Sequence, residues 1–209
     1  NQPMELLPLA AGFSSLPLPA GNRVAIMTFG GGWGVITADL CTKFGLEVPE
    51  LSDNIYEKID RILPFYWSRS NPVDLVGEYD TTIPLKVLEE LLRWEGCDSV
   101  INMGILGRQD FTNRLLDSLE KSDPNFSKER IADVKNSFFE FEKTYIEEIA
   151  RLMEVYEKPV FGVSLVTSDG KQAVYPVEGC RYKSVFFQSP EQAVQACGKM
   201  YEYYRFFKS

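Results

Sequence analysis

The sequence of 209 residues contains no histidine. Because no imidazole is available as a base, the Ser-His-Asp and Cys-His arrangements of nucleophilic enzymes are excluded. Metal sites built on histidine ligands are excluded too, as is a histidine acid or base with a pKa near neutrality. Chemistry that needs an imidazole must therefore obtain it from outside this chain.

The chain is also poor in positive charge, in cysteine and in long apolar runs. Its net charge is −8, and no stripe of Lys and Arg could neutralise phosphates, so we expect no nucleic-acid partner. Four scattered cysteines without a CxxC pair are typical of reduced thiols, which predicts a cytoplasmic protein. No apolar run approaches the ~20 residues that span a bilayer, so we expect no membrane partner.

The beginning of the chain has neither an initiator Met nor the features of a signal peptide, and we expect the chain to be part of a longer protein. Residues 1–21 contain four prolines, which remove backbone donors and fix φ, and they are predicted to be a linker. Residues 22–209 show no internal repeat and are predicted to form one domain.

Apolar β-rich runs alternate with amphipathic helical segments along this domain. Strands are predicted at 23–29, 46–51, 99–106, 160–166 and 184–187, and residues 71–75 are predicted to form a compact turn. This alternation predicts an α/β fold with a single doubly wound, mostly parallel sheet and helices on both faces.

A glycine-rich turn separates the first strand from the first helix of this domain. In such folds ligands bind at the carboxyl ends of the strands, and a helix N-terminus offers free N–H groups and a positive dipole end. We therefore predict that the turn binds a phosphate or another anion through its backbone. The predicted binding residues are Gly30, Gly31, Gly32, Trp33, Gly34 and Val35.

The turn fits standard nucleotide motifs only in part. Gly30 and Gly32 match a dinucleotide fingerprint, with Glu47 or Glu50 as the later acid, but Val35 stands where the third glycine belongs. No Lys-Ser/Thr pair makes a P-loop, and no hydroxyl side chain lies among the glycines for a flavin phosphate. A nucleotide-binding domain and a tight turn without ligand are both alternatives at this point.

Several motifs in a fixed order point to a known family. Pro19–Thr28 and the glycine turn are followed by Ala38–Cys41, by Asn71-Pro-Val-Asp-Leu75, and by a final apolar strand with a Ser-Pro-Glu helix start at 189–191. In these motifs the chain resembles the NDP-forming acyl-CoA synthetases, relatives of succinyl-CoA synthetase. The matching part of that family is its C-terminal flavodoxin-like ligase domain.

The resemblance implies a flavodoxin-like ligase-CoA domain at 22–209 that is inactive alone and carries no catalytic residue. The full enzymes are acid–CoA ligases that interconvert acyl-CoA, ADP and phosphate with acid, CoA and ATP through a phosphohistidine. This domain would present a helix N-terminus to that phosphohistidine. CoA, ATP or ADP and Mg are implied for the full enzyme, and none of them for this domain alone. The implied partners are the CoA-binding, phosphohistidine and ATP-grasp domains, and a homo-oligomer is compatible with the resemblance.

The glycine turn departs from the family pattern at two places. Phe29-Gly30 stand where the family has Asn-Ala, and Trp33 stands where it has Pro. These changes favour an alternative, a non-catalytic regulatory or interaction module of the same fold. Asn71 and Asp74 are a candidate ligand edge, although both side chains are also suited to bonding backbone N–H groups.

Other candidates are weaker. Asp39, Arg108 and Arg114 are predicted to be surface residues, and Cys41 a core residue. The aromatic end of the chain, 201–207, either packs on the sheet or forms an interface, and exposed rings would favour the interface.

Overall fold

The computed structural model describes residues 5–78, 80–107, 109–122, 128–164 and 173–208. The elements in chain order are α1 (Leu6–Ser15), β1 (Val24–Thr28), α2 (Gly31–Lys43), α3 (Asp53–Asp60), β2 (Val73–Asp74), α4 (Ile83–Arg93), β3 (Ser99–Met103), α5 (Gln109–Ser122), α6 (Lys128–Tyr156), β4 (Val160–Val163), β5 (Val174–Tyr175), β6 (Ser184–Phe187) and α7 (Pro190–Lys208).

The strands found in these ranges form one six-stranded sheet in the order β2-β1-β3-β4-β6-β5. All neighbouring pairs are parallel except β5 and β6 at one edge. The four central strands are buried along their whole length, as continuous apolar runs in a covered parallel sheet should be. When the five parallel strands are numbered along the chain without the antiparallel β5, their order is 2-1-3-4-5, the order found in flavodoxin.

Side chains of β3 show which helices cover each face of the sheet. Ser99 lies 3.4 Å from the Cys197 sulfur of α7, whereas Asn102, three residues on, donates to the Tyr145 hydroxyl of α6 at 2.7 Å. Because successive strand residues point to opposite faces, α7 and α6 cover opposite faces of the sheet. The predicted α/β fold with a mostly parallel sheet is therefore confirmed.

The segment predicted to be a linker contains a helix. α1 occupies Leu6–Ser15 and packs on α7, where a Cβ at Gly12 would lie only 3.2 Å from the Met200 sulfur. The proline count was misleading because of where the prolines lie. Pro8 is in the first turn, where its missing N–H costs nothing, and Pro17 follows the helix end.

The strand beside β1 was predicted at the wrong place. Residues 46–51 make only an isolated bridge, between Arg23 and Glu47, and Pro49 has no N–H to continue a ladder. The edge position is taken by β2, inside the segment predicted as a turn, with Met27 opposite Val73 and Thr28 opposite Asp74. The Asn-Pro-Val-Asp segment is thereby placed directly beside the carboxyl end of β1.

Two helices fill the stretch between β3 and β4. α5 runs from Gln109 to Ser122, and α6 runs for 29 residues from Lys128 to Tyr156. The second half of α6 buries Tyr145, Ile149 and Met153 in the core. Burial raises the pKa of the Tyr145 hydroxyl far above its ordinary value, so that group stays neutral.

Candidate anion-binding site

The glycine turn lies at the carboxyl edge of the sheet, between the end of β1 and the start of α2. β1 is paired with β2 on one side and β3 on the other, and its end residue Thr28 is opposite Asp74 and Met103. In the 2-1-3-4-5 order, the crevice at the ends of β1 and β3 is where such folds bind ligands. The structure thus places the predicted residues at the expected edge.

Hydrogen bonds inside the turn fix how α2 begins. Gly30 is the N-cap residue, with an extended backbone of φ −163° and ψ 120°. The Thr28 hydroxyl donates to the Gly30 carbonyl at 3.0 Å and accepts from the Gly30 N–H at 3.2 Å. Trp33 N–H donates to the same carbonyl at 3.1 Å. The N–H groups of Gly30 and Trp33 are therefore already engaged.

The N–H groups of Gly31 and Gly32 are the donors left over at this helix end. They belong to the first two helical residues, which have no carbonyl four residues back within the helix. Both residues are exposed, and neither N–H group makes a hydrogen bond to an acceptor in the described ranges. Gly34 and Val35 are far enough along to join the helical ladder. Two of the six predicted residues thus offer free backbone donors to solvent.

The glycines are present for different physical reasons. A Cβ at Gly34 would lie 2.9 Å from the Pro72 Cβ and 3.2 Å from a Thr28 methyl, so only glycine lets α2 pack this closely. A Cβ at Gly31 would lie 2.9 Å from Asp74 Oδ2. A Cβ at Gly30 or Gly32 would have no neighbour within 4 Å. Packing therefore accounts for Gly34, while nothing in the fold requires glycine at position 32.

Asn71 is used by the fold. Its Oδ1 accepts from Ile26 N–H at 2.9 Å, and its Nδ2 donates to the carbonyls of Val24 and Pro49, each at 3.0 Å. The side chain thereby supplies hydrogen bonds along the edge of β1 just before β2 starts, at the cis Asn71–Pro72 bond. All of these contacts are structural, so Asn71 is left with little capacity for a ligand.

Asp74 brings a negative charge to the start of α2. Its Oδ1 accepts from Val76 N–H at 2.9 Å and holds the turn that follows β2, where Val76 has φ 48° and Gly77 φ 72°. Its Oδ2 is the oxygen close to Gly31. A carboxylate here interacts favourably with the dipole of α2, but it also repels an approaching anion. The sequence did not reveal this pairing, because 43 positions along the chain separate the two residues.

The outer side of the first two turns of α2 is apolar and exposed. Trp33, Val35 and Ile36 are 43%, 60% and 49% exposed, although the helical pattern predicts Val35 and Ile36 on the same face as Leu40. The buried face instead carries small residues, namely Gly34, Thr37 and Cys41. These three apolar side chains therefore lie on the exposed side of the helix whose start carries the free donors.

The remaining candidates have no place at this site. Cys41 is fully buried in the core, as predicted, and burial raises the pKa of its thiol to about 12. Asp39 and Arg114 are exposed, and Arg108 lies outside the described residues. Across the described ranges no three Cys, Asp or Glu side chains come close enough to hold a metal, and no helix is long and apolar enough to cross a membrane.

Comparisons with known proteins identify relatives, although no family model matches the chain. It is 27% identical over 200 residues to the ADP-forming 4-hydroxybutyrate–CoA ligase of Nitrosopumilus maritimus, covering 88% of this chain and 28% of that protein. Over 73 residues it is 46% identical to the alpha subunit of an ADP-forming acetate–CoA ligase II of Pyrococcus furiosus, covering 35% of this chain and 16% of the subunit. The chain therefore spans less than a third of either relative.

Solved structures agree with the fold. A crystal structure of a Pyrococcus horikoshii protein matches with a TM-score of 0.66 and 25% identity, over 97% of this chain and 40% of that one. A dinucleotide-forming acetyl-coenzyme A synthetase of Ca. Korarchaeum cryptofilum, in complex with phosphate and ADP, matches with a TM-score of 0.64 over 98% of this chain. At 17% identity the second match supports the fold alone.

Proposed function

We propose that this chain, which is related by sequence to the NDP-forming acyl-CoA synthetases, acts as a phosphate-binding domain of an ADP-forming acid–CoA ligase. In this role the N–H groups at the start of α2 bind the phosphoryl group of a phosphohistidine that another domain carries. The observation that carries the proposal is the pair of exposed, unpaired N–H groups of Gly31 and Gly32 at the N-terminus of a 13-residue helix.

The physical basis is electrostatic. Aligned peptide dipoles place roughly +0.5 elementary charge at a helix N-terminus, and two N–H groups can bond two phosphoryl oxygens. Without a Cβ at Gly32, the oxygens can approach the backbone closely. Such fixed donors stabilise the charged phosphohistidine without needing to reorient.

The composition agrees with a supporting role. A chain without histidine cannot form the phosphohistidine, so that group would come from another domain of the ligase. CoA, ATP or ADP, and Mg would likewise be bound by other domains of the full enzyme. We therefore expect no CoA-dependent ATP formation by the chain alone.

A second function is favoured by the surroundings of the two donors. Asp74 places a carboxylate beside Gly31, and Trp33 adds an exposed ring in the first turn of the helix. Both features suit a regulatory or interaction module of the same fold that no longer binds phosphate. The two functions differ in one measurable property, the response of the Gly31 and Gly32 amides to phosphate.

The test is a titration of the 209-residue chain with inorganic phosphate, followed by amide NMR. We expect saturable shifts of the Gly31 and Gly32 signals and smaller shifts elsewhere. Gly31→Pro removes one donor and suits the extended backbone of Gly30. We expect it to weaken phosphate binding severalfold.

Gly31→Ala is the matched control, because it adds a Cβ at the same point near Asp74 but keeps the N–H group. It should bind phosphate more tightly than Gly31→Pro. If the Gly31 and Gly32 amide signals of the unchanged protein do not shift, the phosphate-binding role is wrong and the interaction module is the better function.

A further inference from the structure

The outward face of α1 is apolar and exposed. α1 packs on α7 through its other face, where Gly12 is buried. On the outward face Leu6, Leu7 and Phe13 are 66%, 69% and 40% exposed, and Ala10 is exposed as well. Leu6, Ala10 and Phe13 are spaced by four and three residues, so they lie on one side of the helix. The side of α1 that faces away from the core therefore carries apolar residues where polar ones are usual.

This face continues onto the end of α7. The Phe13 and Tyr203 rings meet edge to face at 5.4 Å between centroids, and the Tyr203 and Phe207 rings lie 4.7 Å apart. Tyr203 and Phe207 are 43% and 69% exposed. The two helices thus form one continuous apolar surface, which we call the α1–α7 surface. It consists of Leu6, Leu7, Ala10, Phe13, Tyr203 and Phe207.

The centre of the α1–α7 surface carries no charge. Charged residues make up 25% of the chain and occur in every other helix, but α1 has none. The cations near the end of α7 lie elsewhere, with Arg205 over the Tyr201 ring at 5.7 Å and Lys208 over the Tyr204 ring at 5.9 Å. Since each residue turns a helix by about 100°, both of these pairs face away from Tyr203. An identical surface can therefore approach α1 without bringing like charges together.

The area of the α1–α7 surface is large enough for a dimer. With about 200 Å² for each ring and roughly 150 Å² for each leucine, its exposed side chains leave on the order of 500 Å² in water. Two copies in contact would bury on the order of 1,000 Å², which is about the lower limit for a specific interface. A contiguous apolar patch of this size marks an interaction site more often than single exposed side chains do. We therefore expect a weak dimer.

The order of side chains along α1 suits a contact with itself. Ala10 is small and lies between the larger side chains of Leu6 and Phe13. A small residue at the crossing point lets two helices approach closely. About a two-fold axis at Ala10, the leucine end of one α1 meets the Phe13 end of the other. The large side chains of each copy thereby fill the space beside the Ala10 of its partner.

Charge argues against the other occupants. An anionic membrane would repel a chain whose net charge is −8, and α1 offers no cation to lipid headgroups. A charged protein segment would lose its hydration against α1 without gaining an ion pair there. A second copy brings only apolar and hydroxyl groups to the contact. Neither α1 nor the end of α7 belongs to the anion-binding site, so an inference from them is independent of the proposed function.

We propose that the α1–α7 surface binds a second copy of this chain in a symmetric dimer, in which α1 crosses its counterpart at Ala10. Leu6, Leu7 and Phe13 form the core of the contact. The rings of Tyr203 and Phe207 extend it onto α7.

The test is sedimentation velocity of the 209-residue chain between about 1 and 500 μM, a range set by the modest area of the contact. We expect the average mass to rise reversibly from the monomer value of 23.8 kDa toward twice that value. The chain should be monomeric at the lowest concentration, with a dissociation constant of about 10–100 μM.

A charge placed at Ala10 tests the symmetry of the contact. Ala10→Lys and Ala10→Glu each bring like charges together at the two-fold axis and should each weaken dimerisation by at least about tenfold. An equimolar mixture of the two variants should recover dimerisation, because opposite charges then meet at the axis. Recovery in the mixture is expected only if the same surface of both copies forms the contact.

The matched control is Ala10→Ser, which keeps a small uncharged side chain and should dimerise like the unchanged protein. Phe65→Ser removes an 82% exposed ring outside the α1–α7 surface and should also dimerise normally. Ala10 and Phe65 are exposed, so thermal unfolding of these variants should be nearly unaffected.

Three results would overturn the proposal. A chain that stays monomeric at the highest concentration has no such contact. Dimerisation that persists in Ala10→Lys, or that the mixture of charged variants does not recover, shows a different surface or an asymmetric contact. Binding of a monomeric chain to phosphatidylcholine vesicles that is lost in Ala10→Lys shows that lipid covers the surface instead.

Discussion

Neighbouring glycines of the turn serve different purposes, because one is needed for packing and another leaves the backbone open to a ligand. Gly34 is held between Pro72 and a Thr28 methyl, so it joins the two motifs that are distant in the sequence. Gly32, two residues earlier, is exposed, and a Cβ there would have no neighbour within 4 Å. None of the glycines from 30 to 34 has a positive φ, so a left-handed backbone is not the reason for this run.

We expect Gly34→Ala and Gly32→Ala to change stability in opposite directions. A methyl group at position 34 overlaps Pro72 and should lower the free energy of unfolding by about 1–3 kcal/mol. At position 32 it enters open space in a helix, where alanine is favoured over glycine, and should raise that free energy by up to about 1 kcal/mol. Urea unfolding measures both values, and a stable Gly34→Ala protein would contradict the close packing of α2 on Pro72.

The carboxylate of Asp74 affects both the stability of α2 and the binding of an anion at its start. Asp74→Asn removes the negative charge beside Gly31, while the amide oxygen can still accept from Val76 N–H. Stability should fall by about 0.3–1 kcal/mol through the lost interaction with the dipole of α2. Phosphate should bind more tightly in the NMR titration, because the repelling carboxylate is gone. Weaker phosphate binding would indicate that Asp74 assists the anion.

Among the elements, α1 and α2 depart most from their sequence patterns. α2 buries small residues and exposes Val35 and Ile36, because Gly34 and Thr37 allow it to lie close to Pro72 and Met103. α1 forms although its segment is rich in proline, because Gly12 fits against α7 and Leu16 enters the core. In both helices a small residue at the contact sets which face is buried.

Deleting residues 1–15 should therefore destabilise the domain rather than leave it unchanged, as removal of a linker would. The deletion uncovers Met200 and Ala196 of α7, which are fully buried. We expect the free energy of unfolding to fall by about 2–4 kcal/mol in urea unfolding, the scale of large losses of buried apolar contact. Leu7→Ala, at a 69% exposed position, is the control and should change it by less than about 0.5 kcal/mol.

For the whole molecule, the lack of histidine and one partly buried ion pair both affect how stability depends on pH. Arg23 Nη2 lies 2.8 Å from Asp98 Oδ1 and Arg23 Nε lies 2.9 Å from Oδ2, which also accepts from Arg23 N–H at 3.0 Å. Burial acts to raise the pKa of Asp98, but these hydrogen bonds and the Arg23 charge outweigh it, so the pKa lies below its ordinary value of 3.8. The carboxylate form therefore stabilises the fold.

We expect the free energy of unfolding to be nearly constant between about pH 6 and pH 8, because no histidine titrates there. A depressed carboxyl pKa contributes stability above the unfolded-state value, and this stability is lost as the pH falls through the folded-state value. Stability should therefore decrease on acidification below pH 3.8. Asp98→Asn should be less stable at pH 7 and should approach the unchanged protein at the acid end, as followed by urea unfolding at each pH.

The amino-acid sequence by itself determined the features that depend on neighbouring residues. The buried apolar runs fixed four of the strands, Ser189 and Pro190 marked the start of α7, and the ordered motifs indicated the family whose members the comparisons then found. It also excluded imidazole chemistry, because composition does not depend on the fold. Phosphate binding at the glycine turn stays a prediction.

Only the tertiary structure decided which distant residues meet. It placed the Asn71 amide on β1, the Asp74 carboxylate at Gly31 and Pro72 against Gly34. Hydrophobic periodicity reports whether a residue can be buried, but the partner that buries it is set by long-range packing. The physical reason is that each of these contacts joins segments whose separation along the chain leaves no local pattern.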